Sequence, residues 1–263
     1  MGFNNQKISF FINDLYTALT SDIKELVDKN GTDEIRFISD SNVIKDNDGE
    51  VIFKEYGTSA TLREVCITET PFDNPEQLVI FLDKWEQTEK TKYLKIIFEN
   101  SNMGVDGIIF HYDGTENELS VYLIEMKSTI SDNTIEHCKK KFEQTISKLS
   151  LFIPVIANGN NINLADTKIF FKGVVFFSNR GSVSSANEVS GDLTDIYRAY
   201  HKVNRRCYRI GTASLKNTLF NFNSEAEKID VRFIGYQDST DNPIFATGTT
   251  ANKIVITFAN FVF

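Results

Sequence analysis

Between Val105 and Ser128 the chain reads VDGIIFHYDGTENELSVYLIEMKS, two apolar runs either side of the polar cluster Asp113-Gly114-Thr115-Glu116-Asn117. Apolar runs flanking turn-forming residues of this kind predict a β-hairpin. If the chain reverses at Thr115 and Glu116, Tyr112 faces Leu119, and counting outward sets Asp106 opposite Glu125. Successive side chains of a strand point to opposite faces, so Lys127 shares a face with Glu125. That face also carries Leu119, Val121, Leu123, Ile108 and Phe110, and the other carries Ile109, Tyr122, Ile124 and Met126. Both faces are mostly apolar, which predicts an interior ribbon with an acidic pair and a lysine at one end.

Directly opposed residues on one face have Cβ atoms about 4.5–5.5 Å apart, close enough for two carboxylates to share one cation. Two such carboxylates repel, so one stays protonated unless a cation neutralises them. Oxygen-only ligands favour a hard ion, Mg²⁺ with Mn²⁺ as a substitute, which keeps several of its waters. Such an ion polarises a phosphate and helps generate hydroxide. Lys127 would position the attacking water or offset developing negative charge. The carbonyl of Met126, between the two functional side chains, is a candidate third metal ligand after Asp106 and Glu125. The pattern points to metal-assisted hydrolysis of a phosphodiester.

Periodicity organises the surroundings. Ser9–Val27 is expected as a helix, Arg36–Ser39 as a short strand, and Val43–Tyr56 as a hairpin around Asp46-Asn47-Asp48-Gly49. Thr61–Cys66 reads equally as a brief helix or a strand. Asn74-Pro75-Glu76-Gln77 has the signals of a helix start, with Leu78, Phe81, Leu82 and Trp85 as one apolar stripe up to Lys90. Tyr93–Phe98 is then expected as a strand. After Lys127, Asn133 and Glu136 have capping-box spacing, and Ile135, Cys138, Phe142, Ile146, Leu149 and Ile153 predict a buried helical stripe. Phe170–Ser178 is an apolar strand. Asn179–Ser190 reads as a loop, Asp195–Arg209 as a helix, and Val231–Tyr236 and Ile254–Phe263 as strands.

Asp106, a hairpin, Glu125-Met126-Lys127 and an amphipathic helix, within the order helix–strand–strand–strand–helix–strand over 76–178, resemble the PD-(D/E)xK nuclease superfamily. Val105 stands where the family's name has Pro. The resemblance implies an α/β, restriction-endonuclease-like core, a mixed central sheet flanked by helices, over about 76–178. N-terminal (1–75) and C-terminal (179–263) elaborations would complete a single domain spanning 1–263. It implies that Asp106 and Glu125 hold metal and that Lys127 acts on water. The helix after the motif can carry a glutamine or lysine that touches substrate, here Gln144 or Lys141. His137, Lys141, Gln144 and Lys148 read as one face opposite the buried stripe, which would equally suit a plain solvated surface. Family members often carry a further glutamate before the first strand. Glu64, Glu76, Glu86 and Glu99 all qualify here, and the sequence does not choose among them. The implied activity is a Mg²⁺-dependent endo- or exodeoxyribonuclease, acting on DNA in preference to RNA, as an effector of a microbial anti-phage defence system.

With 28 basic and 36 acidic residues the net charge is −8, which argues against binding nucleic acid over the whole surface. A local basic strip remains available: Arg198, Lys202, Arg205 and Arg209 would share one side of a helix in YRAYHKVNRRCYR. Arg205 is a candidate phosphate contact, and the adjacent tyrosines could stack on unpaired bases. A charged surface helix with inward-packed tyrosines fits the same residues. Cys66, Cys138 and Cys207 are far apart and form no CxxC pair, which suits a reducing cytoplasm better than a disulfide or zinc scaffold. No secretory leader is evident, and no apolar run approaches the roughly 20 residues of a membrane span. GxSxG, GxxxxGK[ST] and GxGxxG signatures are lacking. The alternative expectation is a non-catalytic subunit on the same fold that docks on nucleic acid, a protein partner or a second copy.

Overall fold

The computed structural model describes residues 51–55, 58–69, 77–80, 104–113, 115–159, 161–181, 208–210, 229–236 and 245–261. Its centre is the hairpin of β4 (Gly107–Asp113) and β5 (Glu118–Ile130). Tyr112 pairs with Leu119 and Gly107 with Ile124, the register that a reversal at Thr115-Glu116 predicts. The Asp113 carboxylate caps the turn, accepting from the Thr115 N–H at 2.8 Å and the Glu116 N–H at 3.3 Å. These amides hold the Asp113 carboxyl below its ordinary value.

The ribbon lies inside a six-stranded mixed sheet. β3 (Gln77–Ile80) joins β4, and β6 (Lys168–Arg180) joins β5; β8 (Ile229–Gly235) and β7 (Tyr208–Ile210) extend it in the order β3-β4-β5-β6-β8-β7. β5 and β6 run parallel, so the chain between them must cross over the sheet, and α1 (Asp132–Gly159) makes that crossing. A second mixed sheet, β1-β2-β9, consists of β1 (Val51–Lys54), β2 (Glu64–Thr68) and β9 (Lys253–Thr257).

Two glycines show how the layers close. A Cβ on Gly173 would approach the Phe142 ring of α1 to 3.0 Å, and one on Gly107 would run into the Phe53 ring of β1. The six-stranded sheet is thus covered by α1 on one face and by the small sheet on the other. Ile109, Tyr122, Ile124 and Met126 enter the second interface against Phe53, Val65, Ile254 and Ile256. Coverage on both faces explains why β5 and β6 are almost continuously apolar.

The cap of helix α1 is Ser131, two residues before the expected Asn133. Ser131 and Thr134 exchange bonds as a capping box with threonine in the third position: the Ser131 N–H donates to Thr134 Oγ1 at 2.6 Å, and the Thr134 N–H to Ser131 Oγ at 3.4 Å. Asn133, the expected cap, lies inside the helix. At the other end Asn161 has φ +54°, and the Ile162 N–H reaches the Ala157 carbonyl at 2.8 Å, the bonding of a Schellman motif.

Other expectations change as well. Gln77–Ile80 is a strand paired antiparallel with β4, not the first turns of a helix. Leu78-Val79-Ile80 is an uninterrupted apolar run with two β-branched residues, and ladder pairing outweighs the local start signal at Asn74-Pro75. Thr61–Cys66 resolves to a strand from Glu64, and Val51–Lys54 pairs with it. The strand expected to run to Phe263 ends at Thr257 and gives way to a short helical turn, α2 (Phe258–Phe261). Asn179 and Arg180 belong to β6, not to the loop expected from Asn179, and Tyr208 and Arg209 belong to β7, not to a helix. The expected elements at 9–27, 36–39 and 93–98, and the rest of those over 43–50, 81–90 and 195–207, lie outside the described residues. Among the described residues no helix is long and apolar enough to cross a membrane.

Candidate functional site

Continuing the β4–β5 register one step past Gly107 and Ile124 brings Asp106 opposite Glu125. Both are buried, Glu125 completely and Asp106 at 9% exposure. β4 begins only at Gly107, and the Asp106 carboxylate continues the bonding beyond it: Oδ2 accepts the Met126 N–H at 2.6 Å. A residue's N–H and C=O leave an extended strand on the same side, so the Met126 carbonyl also leaves β5 towards Asp106.

Two ammonium groups meet this pair. Lys127 Nζ contacts Glu125 Oε1 from the same strand face. Lys141 Nζ, delivered by α1, lies 2.9 Å from Asp106 Oδ1 and 2.9 Å from Glu125 Oε1. Both ammoniums use the same Glu125 oxygen, and Oε2 is buried without a hydrogen-bond partner. Thr145, one turn beyond Lys141, pins the helix to the strand entrance by accepting the Val105 N–H at 3.1 Å.

Burial, and then the charge of Asp106, push the Glu125 carboxyl up to about 8; the two lysines pull the other way without cancelling this. Burial also disfavours the Lys127 ammonium, but the neighbouring carboxylates, chiefly Glu125, outweigh it and raise its pKa. Cys138 packs beneath; burial, then the charge of Glu125, drive its thiol far up, so it stays neutral. Partial burial and the charges of Lys127 and Lys141 lower the His137 pKa.

The face of α1 read as lying opposite the buried stripe is therefore corrected. Lys141 is mostly covered, at 12% exposure, and Lys148 is buried. At 100° per residue these positions flank the Cys138–Phe142–Leu149 stripe, and the wide interior sheet covers the flank along with the stripe. The truly solvated side carries Glu136 and Lys140, an exposed i,i+4 pair at 3.8 Å. Gln144 is half-buried, and its Oε1 is a second buried acceptor without a partner.

Arg205 lies outside the described residues, as do Glu76, Glu86 and Glu99. Glu64 pairs instead with Lys253 at 2.6 Å. Among the described residues no group of three or more His, Cys, Asp or Glu side chains could hold a metal. Two carboxylates and a backbone carbonyl can still suit a hard cation that retains waters, and the buried, unpartnered Glu125 Oε2 is the kind of acceptor such an ion satisfies. Compared with protein-family models, curated proteins and solved structures, the chain matches none.

Proposed function

We propose that the chain is a Mg²⁺-dependent nuclease with a restriction-endonuclease-like core, hydrolysing phosphodiester bonds in DNA in preference to RNA. The observation that carries this reading is the opposed Asp106–Glu125 pair, with one Glu125 oxygen buried and unpartnered and Lys127 on the same face. Asp106 and Glu125 would hold the ion, with the Met126 carbonyl beside them. When bound, the ion supplies charge stabilisation and a water of lowered pKa. Asp106 is kept in place by the Met126 N–H. Lys127 would hold the attacking water or the phosphate oxygen that gains charge, from a site whose burial strengthens both interactions.

The test is cleavage by the purified chain of single- and double-stranded DNA and RNA, with Mg²⁺, Mn²⁺ or chelator. Metal-dependent cutting is expected, falling roughly 10²–10³-fold in Asp106→Asn and Lys127→Ala. Cutting that survives chelation, or is unchanged in both variants, overturns the assignment.

One observation favours a second reading. Among the described residues, with all four groups ionised, two carboxylates balance two ammoniums, so these groups satisfy one another without a metal. A subunit that docks on nucleic acid or a protein partner without cutting could keep such a cluster for stability alone. Binding without cutting in the same assay supports it.

A further inference from the structure

We infer that Lys141 is a built-in competitor for the cation position, and that a divalent ion binds only by releasing its ammonium from Asp106 and Glu125. This rests on the metal-site reading above. Three observations lead to it. Lys141 Nζ is 2.9 Å from an oxygen of each acid, the bridging place a shared ion would take, whereas the contact of Lys127 is with Glu125. Even with both acids ionised, these two carboxylates only balance these two ammoniums, so a divalent ion added with both lysines in place leaves at least two positive charges uncompensated within the four groups.

The third observation is mechanical. The Lys141 backbone is held: α1 is capped by Ser131 and tied to the β4 entrance through Thr145 and Val105. Its four-carbon stem is flexible, and its side chain keeps 12% exposure as a route outward. Exchange of one cation for another therefore needs a side-chain rotation and no backbone movement. Lys141 then sets how much free metal the site requires, while its ammonium keeps the acids together until metal arrives.

The experiment is calorimetric titration of the full chain with Mn²⁺ alone, without nucleic acid. Lys141→Gln is expected to bind Mn²⁺ about 5–150-fold more tightly than the unsubstituted chain, the usual range of coupling between two ligands. It should also show a larger rise in Tm on metal addition. Lys172→Gln removes a lysine at the turn end of the same ribbon, where Nζ lies 3.4 Å from Glu118 and 2.9 Å from Ser120, and should leave Mn²⁺ affinity unchanged. Equal or weaker binding by Lys141→Gln overturns the inference while leaving the metal site intact. Absence of Mn²⁺ binding to both the unsubstituted chain and Lys141→Gln overturns the inference and the metal site together. If Lys141→Gln does not fold, reductive methylation of the native chain decides: Lys141 labelling should rise several-fold with Mn²⁺, and constant or reduced labelling overturns the competition.

Discussion

The β4–β5 ribbon carries a lysine–glutamate contact at each end, and the two ends differ in what is left unsatisfied. At the turn end Lys172 Nζ lies 3.4 Å from Glu118, donates to Ser120 at 2.9 Å, and sits over the Tyr122 and Phe170 rings at 5.3 and 5.9 Å. Glu118 has 25% of its side chain exposed to water and also accepts the Ser120 hydroxyl at 2.7 Å. Charge there is shared with solvent and aromatic faces. At the opposite end two acids and two lysines are shut in, and one carboxylate oxygen has no partner. A charged pair at the end of a strand is therefore weak grounds for chemistry. Enclosure with an excess acceptor is the distinguishing feature.

The largest contrast should appear in stability. Glu125→Ala leaves two nearly buried ammoniums facing Asp106 alone, and removing one partner of a buried pair costs about 3–5 kcal/mol. Glu118→Ala loses a contact that water already screens, worth about 0–1 kcal/mol. Urea unfolding of the two variants measures both. Equal losses would mean that the two ends are the same kind of ion pair.

A smaller effect separates the ends by pH. The Glu125 carboxyl is raised from its ordinary 4.5 to about 8 in the folded chain. Between those values the folded state holds more proton than the unfolded state, so stability falls as pH rises. The contribution is fully present below about 4.5 and is lost as pH passes about 8. Without metal, the unsubstituted chain should lose stability relative to Glu125→Gln as pH rises across this window, by at most a few kcal/mol. Saturating Mn²⁺ should flatten or invert the slope, because metal takes the carboxylate form. A slope that is the same in both proteins removes Glu125 from the account.

The acid end was legible because its geometry follows from a local rule. Turn composition sets where the chain reverses, strand alternation does the rest, and Asp106 falls opposite Glu125 without tertiary information. Lys141 was named from its helix, but the sequence left open whether it lies beside the acids or on a solvated face, and it placed the residue opposite the buried stripe. Periodicity ranks positions around a helix, yet how far the sheet wraps past the stripe is a tertiary quantity, and it decides whether a flanking lysine meets water or a carboxylate. The error at Gln77–Ile80 has the same origin: Asn74-Pro75 is a sound local start signal, and pairing with β4 is a distant competitor that no window of sequence contains. The Ser131–Thr134 cap was missed because threonine replaces the usual glutamate or glutamine in the third position.

That cap gives the smallest contrast, because the two ends of α1 serve the two ends of the ribbon. Ser131 follows β5 directly and fixes the turn of helix from which Lys141 reaches the acids. Asn161 closes the helix before the chain returns to the turn end, where the Lys168 N–H donates to the Asn117 carbonyl at 3.0 Å. Ser131→Ala removes a side-chain acceptor from the helix start and should cost about 1 kcal/mol. Asn161→Gly keeps a left-handed residue where φ is +54° and should change stability by only a few tenths of a kcal/mol. Urea midpoints with unchanged m-values measure both. A loss near 3 kcal/mol for Ser131→Ala, the range of a broken buried ion pair, would show that the cap and the ion cluster form one cooperative unit, so that the acid end extends into the helix start.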